Sequence, residues 1–111
     1  MSEFSFDTDV VIARKLINMH DSATKREIEF NLSFKRLKRL VRTKKCFYTN
    51  IPLNFIRYDE HQLTIDRVDN NIGYVDGNVV ACSRKFNEIK GEITVDSIKI
   101  ISKVFQKRGL L

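Results

Sequence analysis

The segment that decides the fold covers residues 63–91 and reads LTIDRVDNNIGYVDGNVVACSRKFNEIKG. Residues 63–68, LTIDRV, are predicted to form a strand in which Leu63 and Ile65 face inward. Residues 69–78, DNNIGYVDGN, are rich in the Asp, Asn and Gly residues that favour turns, so turn is predicted throughout. Residues 78–82, NVVAC, predict a second strand, and residues 83–90 predict a short helix that ends before a glycine. The segment is therefore expected to form a strand–loop–strand–helix unit.

Further elements are predicted on both sides of this unit. Apolar residues recur at helical spacing in residues 8–20, 33–43 and 94–107, and residues 26–32, REIEFNL, alternate like a short strand or extended arm. The candidate helix N-caps are Thr8 or Asp9, Ser33, Ser83 and Thr94. Because two short strands are not stable alone, the helices are expected to supply the core. The predicted class is a small α+β domain.

Composition limits the class of protein. The chain has 111 residues, a formal net charge of +6 and two cysteines. This length fits one domain, and two cysteines cannot form a disulfide framework. No apolar run approaches the roughly 20 residues of a membrane span. The N-terminal MSEFSFDTDV lacks the apolar core of a secretory signal. We therefore expect a cytoplasmic protein that contacts no membrane.

Positive charge is concentrated in residues 33–45, SFKRLKRLVRTKK, which hold seven bases and no acid. Such a patch attracts polyanions, whereas the alternative is a solvated helix face without a partner. Phosphate contacts position a protein on nucleic acid without reading its sequence. The candidate nucleic-acid contacts in and beyond this patch are Lys35, Arg36, Lys38, Arg39, Arg42, Lys44, Lys45, Arg84 and Lys90.

A candidate metal site lies in residues 66–87, the densest polar segment of the chain. Asp66 ends the first predicted strand and Asn87 lies within the short helix. If the hairpin folds Asn87 back over the end of that strand, a carboxylate and an amide oxygen converge. Hard divalent cations such as Mg²⁺ prefer such ligands, completed by water and a substrate phosphate. The alternative is that the Asp and Asn residues only build the turn.

The same segment resembles the HNH nucleases of phages and mobile elements. The similarity covers roughly residues 46–91 and is most specific in I-D-R-V-D at 65–69, G-Y-V-D-G-N-V at 73–79 and F-N-E-I-K-G at 86–91. It implies a ββα-metal hairpin, in which a loop and strand pair is followed by a helix across a divalent ion. It also implies metal-assisted hydrolysis of phosphodiester bonds.

Residues 1–111 are expected to form a single domain in three parts. Residues 1–45 are a helical, basic N-terminal part, residues 46–91 hold the ββα-metal motif, and residues 92–111 form a closing C-terminal helix. A phage-encoded protein of this kind would act in the cytoplasm of the host cell.

The resemblance also implies residue roles. Asp66 and Asn87 match the ligands of a catalytic cation, with Mg²⁺ or Mn²⁺ expected. Asn78 matches the central Asn that ties the loop to the backbone. Lys90 follows the helix ligand and is a candidate phosphate contact.

One departure from the family concerns the general base. Many relatives have His after the first Asp, where this chain has Arg67, and arginine cannot accept a proton near neutral pH. Arg67 is instead a candidate phosphate clamp or a structural partner of Asp69. His61 is the nearest histidine and is either the base or an ordinary surface residue. The candidate catalytic set is therefore Asp66, Arg67, Asn78, Asn87 and His61.

A second departure concerns structural zinc. Many relatives carry two Cys-x-x-Cys pairs, but here Thr49 and Phe86 stand where further cysteines are expected. Cys46 and Cys82 alone cannot build a four-sulfur site, so no structural zinc is expected and both are interpreted as buried small residues. An apolar cluster is expected in its place, formed by Phe47, Tyr48, Ile51, Leu53 and Phe86.

Two functions remain open from the sequence. The first is a metal-dependent DNA endonuclease or nickase of HNH type. The second is a disarmed protein on the same fold that binds nucleic acid or inhibits a host or defence enzyme, with a host or phage protein as partner.

Overall fold

The computed structural model describes residues 8–111, which form helices, short strands and one 3₁₀ turn. The helices are α1 (Asp9–Lys25), α2 (Phe34–Val41), α3 (Arg84–Lys90) and α4 (Val95–Lys107). The strands are β1 (Phe30–Asn31), β2 (Leu63–Arg67), β3 (Tyr74–Val75) and β4 (Val79–Ser83), with the 3₁₀ turn at Asp76–Asn78. This mixture confirms the predicted α+β class.

The strands of the described chain form two separate pairs. β2 and β4 are antiparallel, with Asp66 opposite Val80, and make the predicted hairpin. β1 and β3 are parallel, with Phe30 opposite Tyr74. The arm predicted over residues 26–32 is thus a strand of only two residues. Its partner lies inside the segment that was predicted to be turn throughout.

The core lies between α1, α2 and the β2–β4 hairpin. Its buried apolar side chains are Ile12, Leu32, Leu37, Leu40, Val41, Leu63, Val79 and Ala81. α2 contributes one face at helical spacing, as its sequence predicts, and exposes Lys35 and Arg39 on the other side. The hairpin that carries the candidate site is therefore supported from one side by the basic helix.

A carboxylate joins the loop before β4 to the start of α2. Asp76 accepts hydrogen bonds from the backbone N–H of Ser33 at 2.8 Å and from its hydroxyl at 2.7 Å. The same hydroxyl accepts the N–H of Arg36 and so caps α2. These bonds from the Ser33 backbone and side chain lower the pKa of Asp76, which therefore stays ionised at neutral pH.

Three sequence predictions are corrected by the helices and turns. α1 continues to Lys25 rather than ending near residue 20. Asn78 belongs to the 3₁₀ turn and not to the second strand. In the part of the chain that the structure describes, α4 has no buried residue, so its apolar stripe does not enter the core. None of the helices within residues 8–111 is both long and apolar enough to pass through a membrane.

Gly73 makes the contact between β1 and the loop possible. A Cβ at Gly73 would lie within 2.8 Å of the carbonyl carbon of Glu29, whose oxygen accepts the N–H of Tyr74. We expect Gly73→Ala to lower the free energy of unfolding by about 1–3 kcal/mol, because the backbones must separate. The matched control is Gly77→Ala, whose added Cβ meets no atom within 4 Å. Urea unfolding that shows equal losses for both variants would contradict this account.

Candidate functional site

The site is built where α3 crosses β2. Asn87 Nδ2 donates to Thr64 Oγ1 at 3.1 Å, and Lys90 Nζ lies 3.1 Å from Asp66 Oδ2. Asn87 and Lys90 are three residues apart on one helix face, and Thr64 and Asp66 are two residues apart on one strand face. Ser83 ends β4 and caps α3, so the helix returns directly across the neighbouring strand.

Asp66 and Asn87 therefore lie at the same helix–strand interface, at adjacent positions along it. Two residues of a strand span about 6.6 Å. Within the described chain no hydrogen bond links the two side chains to each other. Asn87 is held by Thr64, which lies two residues before Asp66 on β2. Asp66 is held by Lys90, which lies three residues after Asn87 on α3.

Asp66 is nearly buried, with 7% of its surface exposed. Besides Lys90, its Oδ2 accepts a hydrogen bond from the hydroxyl of Tyr48 at 2.8 Å. Burial and this bond to the carboxylate raise the pKa of Tyr48, so the hydroxyl stays protonated and remains a donor. The ring of Tyr48 stacks on Phe86 with centroids 4.9 Å apart, which fixes its position.

Lys90 is the unexpected member of the site. Its residue is 1% exposed, and its ammonium also donates to the backbone oxygen of Arg67 at 3.1 Å. It lies 5.6 Å from the ring centroid of Tyr48. The prediction that Lys90 contacts a phosphate is therefore corrected, because its charge faces Asp66 inside the protein. In the sequence, the only sign of this role was its position three residues after Asn87.

The interface contains two side-chain oxygens of the type that hard cations take. The bonds described above use Asp66 Oδ2 and Asn87 Nδ2, which leaves Asp66 Oδ1 and Asn87 Oδ1 as oxygen donors. Mg²⁺ is often held by one or two protein oxygens, with water and phosphate completing its shell. No group of three or more His, Cys, Asp or Glu side chains within residues 8–111 could hold a metal ion. A cation here would thus depend on few protein ligands and would meet the positive charge of Lys90.

Asn78 organises the loop beside the site. Its Oδ1 accepts the N–H of Asp69 at 2.9 Å. Its Nδ2 donates to the carbonyl oxygens of Asp69, Ile72 and Gly73 at 3.0 to 3.2 Å. One buried side chain therefore determines the path of the loop between β2 and β3.

Arg67 holds the other side of the same loop. Its Nη1 donates to the carbonyl oxygens of Asn70 and Ile72 at 3.0 and 3.2 Å, and its guanidinium lies 5.2 Å from the ring centroid of Tyr74. Asp69 instead accepts the N–H of Asn71. One of the two roles expected for Arg67, a pair with Asp69, is therefore corrected: Arg67 binds backbone oxygens of the loop.

His61 lies beyond the opposite end of β2 from Asp66. Its Nε2 is 3.4 Å from Glu60 Oε1, and 41% of its side chain is exposed. Strand residues rise about 3.3 Å each, so most of β2 separates the imidazole from the carboxylate. The structure brings Asp66, Asn87, Lys90 and Tyr48 together and leaves His61 outside this group.

The two cysteines are both buried but differ in environment. Burial raises the pKa of Cys82 to about 11. Burial also acts to raise the pKa of Cys46, but hydrogen bonds from the Thr49 side chain and nearby backbone groups outweigh it and lower that pKa. The prediction of an apolar cluster near them is only partly correct. Tyr48 and Phe86 stack, whereas Phe47 is 61% exposed.

The basic residues divide into exposed and structural ones. The chain exposes Lys35, Arg39, Arg42, Lys44 and Lys45. Besides Lys90, three less exposed residues make contacts within the fold: Arg36 donates to the Val79 oxygen at 3.1 Å, Lys38 lies 2.9 Å from Asp9, and Arg84 lies 3.2 Å from Glu88. We call the exposed lysines and arginines within residues 35–45 the basic face.

The basic face leads directly to the candidate site. Lys44 and Lys45 are followed within four residues by Tyr48, whose hydroxyl binds Asp66. The N–H of Phe47 donates to the Ala81 oxygen at 2.9 Å, which fixes this segment on β4. The two lysines therefore come directly before the segment that carries Tyr48 to the interface of β2 and α3.

Comparisons with known proteins identify viral relatives. An uncharacterized 29.0 kDa protein of Enterobacteria phage T4, from the dda-modA intergenic region, is 34% identical over 87 residues, which are 78% of this chain and 35% of that protein. An uncharacterized protein of Acanthamoeba polyphaga mimivirus is 32% identical over 81 residues, 73% of this chain and 14% of that protein. No family model and no solved structure matches the chain. The chain thus spans about a third of the length of a similar bacteriophage protein.

Proposed function

We propose that this chain is an HNH-like, metal-dependent DNA endonuclease or nickase that is encoded by a phage. The observation that carries the proposal is the crossing of α3 over β2, which brings Asp66 and Asn87 to one interface beside the basic face. A carboxylate and an amide oxygen on a hairpin and its following helix are the ligand types that a hard cation takes.

Each residue of the site has a role in this proposal. Asp66 and Asn87 would hold the cation through their side-chain oxygens. A bound divalent cation supplies Lewis-acid stabilisation of the phosphate and of the leaving oxygen. Tyr48 keeps the carboxylate of Asp66 in place, and Lys90 pairs with that carboxylate while no cation is bound. Lys44 and Lys45 bind the backbone of the nucleic acid.

The missing histidine predicts slow cleavage. Arg67 cannot act as a base, and its guanidinium is bound to loop carbonyls. A positioned proton acceptor contributes on the order of 10²–10⁴-fold to a rate. We therefore expect weak activity compared with a nuclease that has a histidine at this position.

Nicking of supercoiled plasmid with Mg²⁺, Mn²⁺ or Ni²⁺ tests the proposal. Asn87→Ala is expected to lower the nicking rate at least about ten-fold, because it removes one of two ligands without burying a charge. Asn71→Ala, a change of the same type in the exposed part of the loop, is expected to keep the rate. No nicking with any of these metals at about pH 6–9, or equal rates for both variants, would overturn the proposal.

A second candidate function is binding of nucleic acid without cleavage. The observation that favours it is the buried ammonium of Lys90 against Asp66, where the cation would otherwise lie. The basic face does not depend on that pair and would bind phosphates in either case.

Binding through the basic face predicts a strong salt dependence. Changing Lys35, Arg39 and Lys44 to Gln is expected to reduce the slope of log K against log salt by about 2–3, since each lost contact removes about 0.9. Changing Lys25, Lys99 and Lys103 to Gln alters the net charge equally and is expected to leave most of the slope. Fluorescence anisotropy with a DNA duplex measures both, and equal slopes would exclude this face as the contact.

A further inference from the structure

α4 presents an apolar face that the described chain does not cover. Its side chains Ile98, Ile100, Ile101, Val104 and Phe105 are between 36% and 64% exposed. They lie within one arc of the helix, and Lys99, Lys103 and Gln106 lie on the other side. A single unpaired apolar side chain is ordinary on a protein surface, but a continuous face of this kind indicates an interface.

The face continues beyond α4 onto α3. Between the two helices runs a groove of about 390 Å³. Its apolar lining comes from Phe86, Ile89, Ile93, Ile98, Ile101 and Phe105. The groove and the outer residues of α4 together form one surface, which we call the α4 face.

We propose that the α4 face binds the α4 face of a second copy of this chain, with the two α4 helices antiparallel across a two-fold axis. This inference does not depend on the proposed nuclease function. A two-fold interface needs a surface that is complementary to itself. Charge and area both indicate that α4 meets this requirement.

The charges of α4 are arranged for antiparallel pairing. Asp96 lies in the first turn and Lys107 in the last, and both flank the same edge of the apolar arc. In one such register, Ile100 of one copy lies opposite Val104 of the other. Asp96 of each copy then lies level with Lys107 of the other copy, with an offset along the helix axis of about 1.5 Å, the rise of one residue. Parallel pairing would instead put Asp96 level with Asp96 and Lys107 level with Lys107, so that neither has an opposite charge at its level.

The exposed apolar area of this region approaches that of a standard dimer interface. Nine apolar side chains between residues 89 and 111 are 36% to 73% exposed. At roughly 60–120 Å² for a whole side chain, they offer about 300–500 Å² per copy. An interface of standard size buries about 800 Å² per partner, and in homodimers about 65% of it is apolar.

Light scattering after size exclusion tests the oligomeric state of the full chain. The wild type is expected to be a dimer with a dissociation constant in the micromolar range or tighter. Ile100→Glu is expected to give a monomer, whereas Lys99→Glu, on the polar side of α4, keeps the dimer. Because Ile100 is 64% exposed, the variant should fold, and far-UV circular dichroism verifies this.

A charge exchange tests the antiparallel arrangement itself. Asp96→Lys is expected to weaken the dimer about ten-fold or more, and the double variant Asp96→Lys with Lys107→Asp is expected to restore it. A wild-type monomer at about 100 µM would overturn the proposal. A dimer that tolerates Ile100→Glu, or that the double variant fails to restore, would overturn it as well.

Discussion

Replacement of Lys90 by methionine is expected to lower the free energy of unfolding by about 3–5 kcal/mol. Methionine matches lysine in length and helix propensity, so the change mainly removes the charge. It leaves the carboxylate of Asp66, itself 7% exposed, with the hydroxyl of Tyr48 as its remaining side-chain partner. An uncompensated buried charge is far more costly than the pair is favourable.

A double variant separates this cause from lost packing. Lys90→Met together with Asp66→Asn removes both charges, and we expect it to regain most of the stability that Lys90→Met alone loses. The matched control is Lys85→Met on the exposed side of α3, where the lysine is 59% exposed and the expected change is within about 0.5 kcal/mol. Urea unfolding measures all three variants. A loss for Lys90→Met no larger than for Lys85→Met would show that the buried pair is not as described.

Replacement of Asn78 by alanine is expected to lower the free energy of unfolding by about 2–4 kcal/mol. The side-chain amide of Asn78 accepts a hydrogen bond from one backbone N–H of the loop and donates to three of its carbonyl oxygens. A buried polar group left without its partner costs about 1–3 kcal/mol, and solvent can reach only part of this loop. The loop before β3 should open as well, because little else fixes the N–H of Asp69.

Asn78→Asp refines this prediction, since it keeps the shape and one acceptor oxygen but removes the Nδ2 donor. A carboxylate facing three carbonyl oxygens should be nearly as costly as alanine. Asn71→Ala in the same loop is the control, because the Asn71 bond uses its backbone N–H and not its side chain. Amide hydrogen exchange at Asp69 reports the loop directly. Retained protection in Asn78→Ala would contradict the assigned role.

Local rules predicted the elements that carry the site. Ser33, Ser83 and Thr94 each cap the helix that follows, because a short hydroxyl side chain before an apolar pattern satisfies the first free N–H groups. The alternation in LTIDRV and the apolar NVVAC gave β2 and β4. These features depend only on residues that are close together in the chain, so they can be predicted from the sequence alone.

Features that depend on how elements cross were not predictable in this way. The pair of Lys90 and Asp66 exists because α3 lies over β2 at one angle, and 24 positions of chain separate the partners. From the sequence, Lys90 was therefore interpreted as a candidate phosphate contact. The pairing of β1 with β3 was missed because it involves two residues on each side and depends on Gly73 for close approach.

The periodic apolar stripe of α4 shows a further limit. Its spacing predicted a helix, and the helix is present from Val95 to Lys107. The same spacing was interpreted as a face buried in the core. An apolar stripe, however, indicates only that this face of the helix packs against another apolar surface. The arrangement of the other helices determines whether that surface belongs to the same domain or to another molecule.

Anomalous diffraction from crystals soaked with Mn²⁺ tests the central claim most directly, namely that Asp66 and Asn87 hold one divalent cation. We expect a single strong peak between the carboxylate of Asp66 and the amide oxygen of Asn87, with the ammonium of Lys90 moved away from Asp66. An absence of any peak there, with Lys90 still within hydrogen-bonding distance of Asp66, would contradict the claim.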